Sequence, residues 1–184
     1  MMAMRSIGII LAGSLALAAA GAVAQQAQEQ PASALKGHNS NAPIDVTSQR
    51  IEVQDRADRA VFSGNVKATQ GELSLETPRL TVAYSGGSDK LQINRLGAAG
   101  GVVVHSPSET ARGDIGIYDL DRKLITLLGN VQLVREQNTV SGARLVIDLD
   151  SGRAVIDGGP PGVNQSGGRV TGHFTVPQRQ QQQK

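Results

Sequence analysis

Phe62-Ser63-Gly64-Asn65-Val66 returns as Leu127-Leu128-Gly129-Asn130-Val131, and a variant, Gly100-Gly101-Val102, lies between the two. From Gly100 the second and third copies keep step at a spacing of 29 residues. Gly113 becomes Gly142, Tyr118-Asp119-Leu120-Asp121 becomes Ile147-Asp148-Leu149-Asp150, and Gly129 becomes Gly158. A repeat of this kind means one supersecondary unit used several times, each copy burying a face on its neighbours.

Phase around the motif shows what the unit is. Ala60, Phe62, Gly64, Val66 and Ala68 alternate with Ser63, Asn65, Lys67 and Thr69, interrupted at Val61. In the third copy Ile125, Leu127, Gly129, Val131 and Leu133 stand opposite Thr126, Asn130 and Gln132. Successive strand side chains point to opposite faces, so each segment is a half-buried strand. The glycine falls at its midpoint, where it either lets the strand bulge or leaves room for a close approach. A second strand follows in each unit: Leu73, Leu75, Leu80 and Val82 in the first copy, Leu145, Ile147 and Leu149 in the third. The middle copy contributes Val102 and Val104. Its second strand is ambiguous, because Ile115 and Ile117 favour one phase while Tyr118 and Leu120 favour the other. Arg59-Ala60-Val61 before Gly64 matches Arg153-Ala154-Val155 before Gly158. These are antiparallel strand pairs in series, an all-β chain whose natural packing is a rolled, jelly-roll-like sheet.

Outside the repeats the chain reads differently. Arg5 is followed by an aliphatic stretch from Ile7 to about Ala20, then Ala22-Val23-Ala24. That is the pattern of a signal peptide over residues 1–24, cleaved before Gln25. A retained anchor would want roughly 20 strongly apolar residues. Residues 25–42 read as a flexible lead-in, 43–176 as the β domain with Arg169–Val176 as a last strand, and 177–184 as a disordered Gln-rich tail. Without Arg5 the basic and acidic residues nearly balance, at 17 and 16, and Lys and Arg are not clustered, which argues against nucleic acid as a partner. With no cysteine, the exported chain relies on its sheet and core alone.

Chemistry-bearing constellations are sparse. His38, His105 and His173 lack the close spacing of a metal site. Asp148-x-Asp150-x-Gly152 has two ligands of a calcium loop, but turn chemistry accounts for it. We find no nucleophile elbow and no thiol, and expect no catalytic residue, no metal and no cofactor.

Taken together, Pro43-Ile44-Asp45-Val46, the two Gly-Asn-Val segments, Ser141-Gly142-Ala143-Arg144-Leu145 and Asp148-Leu149-Asp150-Ser151-Gly152 resemble the OstA-like family. The resemblance runs from about Pro43 to Gly158. It implies a twisted, open β-jelly roll that binds lipopolysaccharide through lipid A in the periplasm. It also implies head-to-tail copies bridging an inner-membrane LptC-like protein to an outer-membrane LptD-like translocon. The interior of such a roll would be lined by Ala60, Phe62, Val66, Ala68, Leu73, Leu75, Leu80, Val82, Val102, Val104, Ile125, Leu127, Val131, Leu133, Leu145 and Ile147. Its assembly edges would fall at Ile44 and Val46 and at Val170 and Phe174.

Composition is compatible with that implication. Each buried methylene is worth roughly 0.8 kcal/mol, so an acyl chain costs on the order of 10 kcal/mol to expose. Beyond residue 24 the chain offers 37 Val, Ile and Leu but four aromatics, Phe62, Tyr84, Tyr118 and Phe174. Aliphatic walls suit flexible tails, and they equally suit a solid sandwich core.

Overall fold

The computed structural model describes residue 35 and residues 38–86, 91–159 and 168–176. The expected signal peptide and Gln-rich tail lie outside these residues, as does most of the lead-in. Among the described residues ten strands form one antiparallel sheet: β1 (Asp45–Thr47), β2 (Arg50–Gln54), β3 (Arg59–Gln70), β4 (Leu73–Ser85), β5 (Gln92–His105), β6 (Glu109–Asp119), β7 (Leu124–Arg135), β8 (Asn138–Asp148), β9 (Arg153–Asp157) and β10 (Thr171–His173). Strands β3 to β8 pair in sequence order. Each end of the sheet carries a split edge strand. One half of β3 is paired by β1 and the other by β2; β8 is likewise shared by β10 and β9.

Every long strand is interrupted near its middle, and the interruptions line up. Register shifts fall at Ser63/Val66, Glu76/Arg79, Ala99/Val102, Arg112/Ile115 and Leu128/Val131. On β3, β5 and β7 the bulged residues are the repeated motif itself. Gly64, Asn65, Gly100, Gly101, Gly129 and Asn130 all have positive φ, from 45° to 98°. Left-handed backbone is open to Gly and, among other residues, best tolerated by Asn. That is why the chain repeats Gly-Asn and not Ala-Val. The Asn130 amide also donates to Asp114 Oδ2 across the kink, at 2.8 Å. On β4 the kink holds Pro78, which has no N–H to lose. There the Thr77 hydroxyl donates toward the Arg79 and Ala99 carbonyls, both at 3.2 Å.

The row of kinks folds the sheet over on itself, so that its two halves become facing layers of an open jelly roll. One layer holds β1, β10 and the halves of β3–β8 that pair with them, such as Val66–Gln70 and Leu73–Thr77. The other holds β2, β9 and the remaining halves. Between the layers lies one apolar cluster that includes Val66, Leu80, Val82, Val102, Val104, Leu127, Val131, Leu145 and Ile147. The largest side chains at its centre, Leu80, Leu127 and Leu145, are 0 % exposed.

The kinks also settle the register that the sequence leaves open. Across the bulges of β3, β5 and β7 the inward phase continues four residues on, from Phe62 to Val66 and from Leu127 to Val131. On β4, β6 and β8 it jumps three, from Thr77 to Leu80, Gly113 to Gly116 and Gly142 to Leu145, all of them buried. Tyr118 is therefore inside, while Ile115 stands on the outer surface at 45 % exposure.

Two details differ from expectation. The last strand is only Thr171–His173, because β10 pairs with three residues of β8, Thr139–Ser141. At the other end the polar lead-in is not free over its whole length. Leu35 is buried in the core cluster, and residues 38–42 fold as turns against the sheet, through Ser40 N to His38 O and Ala42 N to Asn39 O.

Candidate functional site

Among the described residues the interior is narrow in the middle and open at both ends. At the N-terminal end a mouth of about 450 Å³ is lined by Ile44, Val46, Val53, Asp55, Ala60, Phe62, Val82, Tyr84, Leu91 and Ile93. At the C-terminal end a second, of about 430 Å³, is lined by Glu109, Leu133, Arg135, Asn138, Val140, Ala154, Ile156, Val170 and Phe174. Both fall within the size of small-ligand pockets, roughly 300–1,000 Å³. Their walls come from alternate residues of adjacent strands, the consequence of the two-residue period acting on a sheet that has been folded over.

Between the mouths the space shrinks to about 30 Å³, lined by Ile44, Ala68, Thr69, Gln70, Leu73, Leu75, Leu96, Val104, Gly116, Ile117, Tyr118, Ile125 and Leu127. That is room on the order of two waters. The residues expected to line an interior thus separate by position. Ala60, Phe62 and Val82 belong to the N-terminal mouth, Leu133 to the C-terminal one. Ala68, Leu73, Leu75, Val104, Ile125 and Leu127 line the narrow cavity. Val66, Leu80, Val102, Val131, Leu145 and Ile147 pack against other side chains at the centre.

Charge at the C-terminal mouth is paired. Arg135 Nε lies 3.7 Å from Glu109 Oε2, whose side chain is 6 % exposed. Among the described residues lining the N-terminal mouth, Asp55 is the one carboxylate. Outside, the ion pairs Lys67–Glu76, Arg95–Asp119 and Arg144–Asp157 bridge neighbouring strands on the solvent face. Exposed pairs of this sort contribute roughly 0–1 kcal/mol each.

Both sheet edges stand beside the mouths. Ile51 and Val53 on β2 are 55 % and 59 % exposed, and Val155, Val170 and Phe174 at the other edge are 40–66 % exposed. Among the described residues the two edges do not pair with each other, so the roll is not a closed barrel. Unpaired backbone groups at such edges are templates for strand addition. Of the residues expected at assembly edges, Val46 is on β1 with Ile44 just before it, and Val170 and Phe174 flank β10. The Arg-Ala-Val match had pointed to a strand entry at β9, but neither β2 nor β9 was expected to share an edge.

The features that resembled catalytic or metal chemistry have structural employment. Asp148 Oδ1 accepts from the backbone N–H groups of Asp150 and Ser151, at 3.0 and 2.9 Å. These bonds hold its carboxyl below the ordinary range. Asp150 in turn pairs with Lys123 at 2.8 Å. His38 contacts Gln70 and His105 contacts Thr110, each at 3.0 Å. Among the described residues no three His, Asp or Glu side chains group as metal ligands would.

Residues 45–153 match the family described as LptA/(LptD N-terminal domain) LPS transport protein. A protein of Rhizobium meliloti (strain 1021), called uncharacterized protein R00383, is 31 % identical over 158 residues, covering 83 % of this chain and 84 % of its own. The fold is similar to that of a crystal structure from Pseudomonas aeruginosa, with a TM-score of 0.66 at 18 % identity. The likeness covers 76 % of this chain and 99 % of that one. That structure is of LptH, described as the LptA homologous periplasmic component of the conserved lipopolysaccharide transport device.

Proposed function

The chain belongs to the LptA/(LptD N-terminal domain) LPS transport protein family, and from that premise we propose that it carries lipopolysaccharide across the periplasm with lipid A acyl chains sheltered in its two mouths. The observation that carries this reading is the pair of apolar mouths at opposite ends of one roll, each flanked by a sheet edge that is unpaired among the described residues. Phe62, Ile93, Leu133 and Ile156 pack against the core on one side and border these openings on the other.

Export fits the same reading, with residues 1–24 as a cleaved signal peptide and the β domain working in the periplasm. The split edges suit assembly. If β1 and β2 of one copy add to β9 and β10 of the next, the N-terminal mouth of the first faces the C-terminal mouth of the second. Head-to-tail contacts of this kind propagate as filaments unless a rotation closes them. Such a row would connect an inner-membrane LptC-like protein with an outer-membrane LptD-like translocon, with an apolar lining along its length. The chain's own role is passive, one of sheltering and handing on.

The test is uptake of purified lipopolysaccharide by the detergent-free protein, with Val53→Glu and Ile156→Glu variants in parallel. We expect the unsubstituted chain to bind and each charged mouth to bind less, with far-UV circular dichroism unchanged. Equal binding by all three would remove the mouths as the site.

A further inference from the structure

Gln70 is 4 % exposed, and its amide is fully engaged. Nε2 donates to the Ser40 and Ala42 carbonyls, both at 2.9 Å. Oε1 accepts from the Tyr118 hydroxyl at 3.0 Å and faces His38 Nε2 at 3.0 Å. Gln70 and Tyr118 lie on different layers. Gln70 is the last residue of β3, opposite Leu73 and far from the kinks. Tyr118 is one residue from the end of β6. Strand pairing joins the layers along the kinked spine, so this contact spans the opposite, open side of the fold.

Three further facts belong together. The turn at 38–42 lies over Gln70 and is tied to it by three of the four contacts. Leu35, just upstream, is buried in the core. The narrow cavity, of about 30 Å³, is bordered by Gln70 and Tyr118 themselves. Leu73, Leu96 and Ile125 line the same narrow cavity, so these polar groups stand at its border with the open side of the fold. Burial holds the Tyr118 phenol above its ordinary pKa.

We infer that the Gln70–Tyr118 bond, with the His38–Ala42 turn over it, is a clasp that gates sideways entry of an acyl chain into the middle of the roll. The inference rests on the lipid-binding reading above. With the clasp closed the two mouths are separate sites. With it open they become one groove.

The chain has no cysteine, so a Gln70→Cys/Tyr118→Cys pair can be joined by a cleavable bis-maleimide at those positions alone. Loading with fluorescently labelled lipid A is then followed in stopped flow. We expect the joined pair to load at most partly, and cleavage of the linker to restore full loading. Tyr118→Phe, which removes one hydroxyl, should load about five-fold faster than the unsubstituted chain, the population shift that one lost hydrogen bond gives. Faster amide exchange at the ends of β3 and β6 should accompany it. If the joined pair loads as fast and as fully as the cleaved one, the clasp is not a gate, and lipid binding stands without it. If no form loads lipid A, the lipid reading and the gate fall together.

Discussion

Tyr118 donates a 3.0 Å hydrogen bond to Gln70 across 48 residues of sequence, from one layer of the roll to the other. A single buried side chain thereby holds β3, β6 and the segment ahead of β1 in one place. Leaving such a network half made is costly, because each abandoned group keeps its desolvation penalty. Gln70→Leu should lower stability by about 2–3 kcal/mol, and Tyr118→Phe by about 1 kcal/mol. Thermal unfolding by circular dichroism measures both. Equal melting temperatures for all three proteins would show the contact to be incidental.

The kinks should be the places where glycine and asparagine are least replaceable. A Cβ on Gly129 would stand 3.0 Å from Asp114 Cγ, on a residue whose φ is already +74°. Gly129→Ala should therefore lose about 1–2 kcal/mol from the backbone conformation alone, before the crowding is counted. Asn130→Gly should be milder than Asn130→Val, since valine tolerates positive φ poorly and cannot replace the bond to Asp114. Urea unfolding midpoints rank the three variants; a valine that matches glycine would contradict the bulge as the motif's purpose.

How much of this was legible beforehand depends on parity. In β3 and β7 the inward phase crosses the bulge unchanged, so Phe62, Val66, Leu127 and Val131 could be assigned to one face by simple alternation. In β6 it slips by one at Gly113–Gly116, and alternation fails there. The inward places are filled by two glycines while Ile115 and Ile117 sit on the other face, so hydrophobicity pointed the wrong way. Only the pairing of Gly116 with Ala98 and Leu127 fixes the answer, and pairing is non-local. Leu35 escaped notice for a similar reason: one apolar residue in a polar stretch carries no period. The mouths were invisible too, because Val66 and Phe62 look alike in sequence, and whether a site is packed or open depends on the opposite layer.

Packed centre and open mouth should respond to substitution in opposite ways. Leu127→Ala removes a fully buried side chain and should cost about 2–5 kcal/mol. Val53→Glu, on a residue that is 59 % exposed, should change stability by no more than about 0.5 kcal/mol while weakening lipid binding. Chemical denaturation together with a binding titration separates the two. A Val53→Glu protein that is unfolded, or one that binds as before, would contradict the division.

Acid should act on the turn after β8. Asp148 has its carboxyl held below its ordinary 3.8 by backbone N–H bonds, chiefly from Ser151. A depressed folded pKa contributes stability that is present above the unfolded value and lost as pH falls through the folded one. The melting temperature should not vary with pH near neutrality through this group, and should fall below about pH 4. Asp148→Asn should lower stability at neutral pH and flatten that acid limb. Superimposable pH profiles for the two proteins would exclude the carboxylate.

Occupancy of the mouths is the claim that matters most, and photocrosslinking reads it residue by residue. A benzoyl-phenylalanine placed at Phe62, at Leu133 and, on the outer face, at Ile115 would be irradiated with lipopolysaccharide present. Adducts at Phe62 and Leu133 and none at Ile115 are expected. Adducts at Ile115 alone, or at none of the three, would contradict lipid carriage inside the roll.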